Sequence, residues 1–303
     1  MSIPTVDASA TSEVTAATVI AAGKDAGLLR VTGETRLLTL SAEALAATRR
    51  VFDLPLEQKE SLRSPTGFQN RGWNSYLDKA GNLNFERLSF AQFDTESAAI
   101  AAGASERHAM EFRHVNVWPD DGFHRLVDAL RLAGGALCRR LLSPLCSVFD
   151  LPSGSFDVVG PPHTNVALTR YYPRPMACTN AADLSYVQHR DLAFATILTE
   201  EGERNSLEVQ RADEWVPVSA DDNSVLVLFG TLIPRVTSGK LRSCRHRVMP
   251  PQQRLRMTTI IGYSGGLQTS IRPPAGRAVV YDDPDWVSDV GDVFAVFAER
   301  SLP

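Results

Sequence analysis

Gln188-His189-Arg190-Asp191-Leu192 sets a histidine and a carboxylate two residues apart. On a β-strand, residues i and i+2 share a face, so the pattern aims His189 and Asp191 one way and Arg190 the other. An imidazole and a carboxylate on one face supply two of the three ligands of a non-haem ferrous site. Such a 2-His-1-carboxylate set leaves positions open on the far side of the metal. Alone, His-x-Asp is a weak signal, because a surface strand or a buried hydrogen-bonded pair accounts for it more often.

The surroundings read as β. Val166 to Tyr172, Ala193 to Leu198, Leu207 to Gln210, Val225 to Phe229 and Thr258 to Tyr263 are short runs rich in strand formers. Clusters of Pro, Gly, Asp or Asn separate them at a spacing that predicts a sandwich or barrel. Upstream the character is mixed. Ile3 to Asp7 and Gly27 to Thr32 predict strands, and Ser41 is placed to cap a helix carrying Leu45, Ala46, Val51 and Phe52. Pro55 suits the first turn of a helix through Glu57 and Lys59, whereas Ser64 to Asn84 reads as a loop. Trp118-Pro119-Asp120-Asp121 opens the longest helical pattern, striped by Phe123, Leu126, Val127, Leu130, Leu137, Leu141 and Leu145, with Pro144 ending or kinking it. The chain divides into an N-terminal mixed α/β region (1–115), a long scaffold helix (116–155) and a β core (156–303), expected to form one structural unit.

Composition bounds the function classes. The 303 residues are 44% hydrophobic and 22% charged, close to ordinary globular averages. A formal charge of −4 and no polybasic block argue against nucleic-acid or membrane-surface binding. The apolar runs are too short to cross a bilayer, and Met1 to Ala10 has no signal-peptide pattern. Cys138, Cys146, Cys178 and Cys244 lack metal-type or disulfide-framework spacing, so reduced thiols in a cytoplasmic protein are expected.

Three further pairs bear on chemistry. His246, in Ser243-Cys244-Arg245-His246-Arg247-Val248, is a candidate third ligand on a distant strand, although a satisfied core histidine is the commoner case. Arg256-Met257-Thr258 follows ten residues after His246 (256 − 246). A guanidinium fork beside a hydroxyl suits the distal carboxylate of a dicarboxylic acid; an edge-strand surface arginine is the plain alternative, and Arg254 shares the face. Arg170 and Tyr172, in Leu168-Thr169-Arg170-Tyr171-Tyr172-Pro173, are expected to reach the cavity while Tyr171 faces the core. His108, His114, His124 and His163 have no recognisable spacing, and Cys244 is expected to pack as a small residue.

Taken in order, Arg-Tyr-Tyr-Pro, His-x-Asp, His-Arg-Val and Arg-x-Thr resemble the isopenicillin N synthase-like group of Fe(II)/2-oxoglutarate-dependent dioxygenases. Ile3-Pro4-Thr5-Val6-Asp7, Leu54-Pro55-Leu56-Glu57-Gln58-Lys59, Trp118-Pro119 and Thr237-Ser238-Gly239-Lys240 extend the likeness over nearly the whole chain. The resemblance implies an α+β protein whose double-stranded β-helix, or jelly roll, is flanked by N-terminal and central helices. It implies iron on His189, Asp191 and His246, and 2-oxoglutarate held by Arg256 and Thr258 with Tyr172 nearby. Thr258 stands where the family usually has serine and keeps the hydroxyl. Arg170 stands where plant members carry asparagine and is a candidate substrate contact. So are Arg71, Asn74 and Tyr76, in a segment that with Trp73 forms a candidate lid.

The implied reaction consumes 2-oxoglutarate and O2, yields succinate and CO2, and oxidises an unactivated C–H bond of a small molecule, with hydroxylation the default and secondary metabolism the expected setting. No catalytic residue beyond the metal site is expected. The carboxylate Asp191 argues against the related halogenases, which lack it. Desaturation, epoxidation and ring closure are alternatives, as is a 2-oxoglutarate-independent oxidase of the isopenicillin N synthase type. A silent binding protein on the same fold is the non-enzyme alternative. Gly262-Tyr263-Ser264-Gly265-Gly266 matches a nucleophile elbow, but no helical pattern follows Ser264 and no histidine follows His246.

Overall fold

The computed structural model describes residues 2–174, 183–272 and 289–300; Cys178 lies outside them. The strands are β1 (Thr5–Asp7), β2 (Leu28–Thr32), β3 (Gly72–Leu77), β4 (Leu83–Phe90), β5 (Pro162–Tyr171), β6 (Tyr186–His189), β7 (Ala195–Gly202), β8 (Leu207–Arg211), β9 (Glu214–Val218), β10 (Ser224–Phe229), β11 (His246–Val248) and β12 (Arg256–Gly266). They form an eight-stranded sheet, in the order β1-β2-β10-β7-β12-β5-β4-β3, facing a four-stranded sheet, β6-β11-β8-β9. β1 joins β2 in parallel, and every other pairing among the described strands is antiparallel. This is the jelly-roll core with helices packed outside it.

Period-two alternation explains the two layers of core. On the outer face of the large sheet, Leu88, Leu168, Ile197, Val225, Val227, Met257 and Ile261 are buried in one apolar cluster with residues of the helices α1 (Ser12–Lys24), α2 (Thr35–Phe52) and α6 (Asp121–Leu142). On the inner face, Phe85, Tyr171, Leu198, Leu226 and Leu228 meet Leu207, Val209 and Val248 of the small sheet in a second cluster.

The Asp120 carboxylate caps α6 by accepting from the Phe123 amide at 2.8 Å, and the helix ends just before Pro144. Gly134 lets α6 lie close on β12, since a Cβ there would sit 2.9 Å from Ile261 Cγ2. Shorter helices fill the connections: α3 (Leu56–Glu60), α4 (Glu96–Ala101), α5 (Glu106–Ala109), α7 (Leu145–Val148), α8 (Leu232–Val236) and α9 (Val290–Arg300).

Two local expectations differ from the structure, and one helix was not anticipated. α2 begins at Thr35 and Ser41 lies buried within it, because Leu37 extends the buried stripe a turn earlier. α1, which buries only Thr15, Val19, Ala22 and Gly23, has too weak an apolar pattern to announce itself. The segment expected to be a loop from Ser64 to Asn84 contains β3 and the start of β4. Its polar composition reads as loop because β3 is an end strand whose Asn74 and Tyr76 share the inner face with Arg87 and Phe85, where polar groups are needed. No helix among the described residues is long and apolar enough to cross a membrane.

Candidate metal centre and co-substrate pocket

β6 and β11 are register partners, and His189 stands directly opposite His246. β6 ends at His189, so Asp191 lies just beyond the strand rather than on it. The bend still brings the three together: one ligand atom from each of His189, Asp191 and His246 lies within 4.8 Å of the others. Asp191 Oδ1 is 3.3 Å from His189 Nε2 and 3.8 Å from His246 Nε2.

Each imidazole is oriented from behind. His189 Nδ1 is 2.8 Å from the Val187 carbonyl and His246 Nδ1 3.2 Å from that of Cys244. A proton donated there leaves Nε2 as the free lone pair. Burial lowers the His246 pKa against the pull of Asp191, favouring the neutral, ligating form. Burial opposes ionisation of Asp191, yet the His246 and His189 imidazoles outweigh it and hold the carboxyl well below the usual range.

β12 supplies a second element on the inner face. Arg256 and Thr258 are fully buried, as are their orphaned polar atoms. Arg256 Nε donates to Glu200 Oε2 at 2.9 Å, while Nη1, Nη2 and Thr258 Oγ1 have no hydrogen-bond partner among the described residues. Buried donors left unmade cost about 1–3 kcal/mol each, so three together make this a candidate seat for a ligand. Two outer guanidinium nitrogens beside a hydroxyl match one carboxylate.

Two assignments need correction. Arg170 and Tyr172 face the outer side of β5, because Arg170 pairs with Met257 and Tyr171 with Arg256. Arg170 donates to Asp53 Oδ1 (2.6 Å), the Phe52 carbonyl (2.9 Å) and Glu86 Oε2 (3.0 Å), and the Tyr172 hydroxyl donates to the same Glu86 oxygen. Lys59 and the Trp73 indole complete this buried ionic knot around Glu86. The tyrosine on the pocket side is Tyr171, with the Arg256 guanidinium 5.2 Å above its ring. A one-residue slip in register reading exchanges the faces of a whole strand, and that is the error.

A cavity of about 260 Å³ opens next to Asp191, lined by Arg71, Arg87, Glu111, His114, Asn165, Ile260 and Phe294 among others. Arg71, a candidate substrate contact, lines this cavity 3.6 Å from Glu111, whose other oxygen is 2.7 Å from His163. Asn74 donates to the Arg71 carbonyl at 3.0 Å, and Tyr76 stacks on Phe85 at 4.2 Å. Sequence reasoning missed Arg87, Glu111, His163 and Phe294. The only available signal was the run Phe85-Glu86-Arg87-Leu88, which sets two opposite charges side by side inside an apolar strand.

A second grouping, His108, Asp289 and Asp292, has metal-like proximity, but Arg107 Nε lies 3.3 Å from Asp292 and already supplies positive charge.

The model of the 2OG-Fe(II) oxygenase superfamily matches residues 163–262, and that of the non-haem dioxygenase in morphine synthesis N-terminal region matches 3–121. The chain belongs to the 2OG-Fe(II) oxygenase superfamily. Among the relatives of this oxygenase chain is the 2-oxoglutarate-dependent dioxygenase ecdK of Aspergillus rugulosus, 26% identical over 67% of the chain and 65% of the relative. The chain therefore spans slightly less than two thirds of that relative's length. The 2-oxoglutarate-dependent dioxygenase caaD of Aspergillus niger is 25% identical over 88% of the chain and 86% of its own length. A solved 2OG-Fe(II) oxygenase family protein from Caulobacter crescentus has the same fold, with a TM-score of 0.76, 20% identity and coverage of 100% of this chain and 99% of that one.

Proposed function

We propose that the chain is an Fe(II)/2-oxoglutarate-dependent dioxygenase that oxidises, by hydroxylation in the first instance, an unactivated C–H bond of a small molecule, in secondary metabolism. The observation that carries this is the pairing of a three-ligand cluster at the small sheet with a separate, orphaned carboxylate seat on the inner face of the large sheet that faces it. His189, Asp191 and His246 would hold the iron, and Arg256 with Thr258 would hold the far carboxylate of 2-oxoglutarate. Ferrous iron with 2-oxoglutarate and O2 supplies the oxidising power when bound.

The chain's own contribution is orientation. The Val187 and Cys244 carbonyls set the ring tautomers. Glu200 fixes the Arg256 fork so that its two outer nitrogens stay available beside Thr258. Tyr171 covers the guanidinium and keeps water from it. The orphaned Arg256 and Thr258 atoms suit a carboxylate from either a co-substrate or a substrate, so succinate release is what separates this reading from an oxidase that draws all electrons from its substrate.

The test is succinate release from 2-oxoglutarate with added Fe(II) and O2. Stoichiometric succinate that disappears in His246→Ala supports the proposal; full turnover in that variant, or none in the unaltered protein with iron bound, rejects it.

A further inference from the structure

We propose that Arg87 is the anchor for an acidic substrate, its guanidinium taking the carboxylate of a small organic acid held in the cavity beside Asp191. This rests on the Fe(II)/2-oxoglutarate reading of the site and names the substrate class for it.

Arg87 stands in the middle of β4 with only 9% of its surface exposed, and it lines the same cavity as Asp191. Its Nε donates to the Thr169 hydroxyl at 3.1 Å, and its head lies 5.3 Å from the Phe85 ring and 5.0 Å from that of Tyr186. All of these partners are neutral, and among the described residues no carboxylate forms a salt bridge with Arg87.

Of the other cations nearby, Arg71 is paired with Glu111 and Arg170 with Glu86 and Asp53, while Arg256, paired through Nε with Glu200, has its outer nitrogens assigned to the co-substrate seat. Buried charges in proteins are paired, because desolvation is otherwise uncompensated. A guanidinium with only neutral partners among the described residues, Thr169 and Tyr186, stacked on aromatics and lining a ligand-sized cavity, is complete when a ligand brings the anion.

That ligand is the substrate and not the co-substrate on two grounds. Arg256 and Thr258 already offer a full carboxylate seat, and neither lines the open cavity, whereas Arg87 does. The cavity is also lined by the apolar side chains of Phe68, Ile260 and Phe294, so the fitting molecule is an acid with a hydrocarbon or aromatic body.

The experiment compares the unaltered protein with Arg87→Gln and Arg87→Lys, each with Fe(II) and 2-oxoglutarate under anaerobic conditions. Matched probes, phenylacetate against phenylacetamide and hexanoate against hexanamide, are titrated by ligand-observed saturation-transfer NMR. In parallel the visible charge-transfer band of the iron–2-oxoglutarate chelate gives the co-substrate affinity. The acids should bind the unaltered protein about tenfold or more tighter than the amides, the size of one charge-assisted contact. The gap should close to within about twofold in Arg87→Gln and be intermediate in Arg87→Lys, with 2-oxoglutarate affinity changed by no more than about threefold.

Removing an uncompensated buried charge should leave the Arg87→Gln melting temperature unchanged or raised. Amides binding as well as acids in the unaltered protein, or an acid preference that survives Arg87→Gln, overturns the proposal. A tenfold loss of 2-oxoglutarate affinity assigns Arg87 to the co-substrate and overturns it equally. Absence of the charge-transfer band in the unaltered protein rejects the oxygenase reading instead, and the acid–amide gap still decides the role of Arg87.

Discussion

His189 and His246 face each other across the β6–β11 pair with ring centroids 4.1 Å apart, each ring held by the carbonyl two residues before it. Two residues separated by 57 positions (246 − 189) are thus set by a single strand pairing. Losing either imidazole should remove the metal without unfolding the sheet. His246→Ala is expected to weaken anaerobic Fe(II) or Co(II) binding by roughly a hundredfold or more, at the upper end of what even supporting contacts contribute. Equilibrium dialysis against metal, with circular dichroism as the fold control, checks this; near-native affinity would remove His246 from the ligand set.

Thr258→Val deletes a hydroxyl that has no partner among the described residues. Stability without ligand should hold or rise, because a buried orphan is replaced by a methyl of similar size. Affinity for 2-oxoglutarate should fall about fivefold, the worth of one hydrogen bond near 1 kcal/mol. Unchanged 2-oxoglutarate binding would move the carboxylate seat elsewhere.

Tyr172→Phe separates the two faces of β5. It removes a hydrogen bond to the ionised Glu86, so stability should drop by roughly 1–3 kcal/mol while 2-oxoglutarate affinity stays within about twofold. A large change in 2-oxoglutarate affinity with little change in stability would restore Tyr172 to the pocket.

Glu86 makes stability pH-dependent. Burial opposes its ionisation, but Lys59, Tyr172 and Arg170 outweigh that and lower its pKa in the fold. A lowered pKa gives stability that is complete above the ordinary carboxylate value, near 4.3, and is lost as pH falls through the folded value. Glu86→Gln should therefore cost about 3 kcal/mol near pH 7, with the deficit shrinking on acidification. Urea titrations across the acid range measure it, and a deficit that grows as pH falls would contradict the sign.

Gly134→Leu should destabilise by roughly 1–3 kcal/mol or more, because the added side chain enters a contact already 2.9 Å from Ile261 Cγ2. Metal affinity per folded molecule should not change, since α6 packs on the outer face. A stable Gly134→Leu protein would show that α6 can shift outward at little cost.

The fold was legible where one periodicity dominated. α6 announced itself by its Trp118-Pro119-Asp120-Asp121 opening, its apolar stripe and Pro144, and the inner strands by short runs of strand formers between turn clusters. The grouping of His189, Asp191 and His246 as a candidate metal site could be read because His189 and Asp191 are neighbours and His246 falls on a β-type run. The facing of β5 could not be read, since Arg170-Tyr171-Tyr172 is polar or amphipathic on both sides and only pairing with β12 decides which face is which. Glu111 with His163, and Arg87 with Thr169, are also products of tertiary placement, bonded across 52 and 82 positions.

The large sheet is completed at one end by β1 and β2, and Arg30 of β2 pairs with Leu226 of β10. During synthesis β2 emerges 196 residues (226 − 30) before that partner. At about 5–20 residues per second, the strand waits roughly 10–40 s with its edge unpaired. A nascent chain of this design is exposed to misassembly throughout that interval. Chaperone demand should therefore fall mainly on its N-terminal segment, and a copy permuted to begin just before β7 should fold with less assistance.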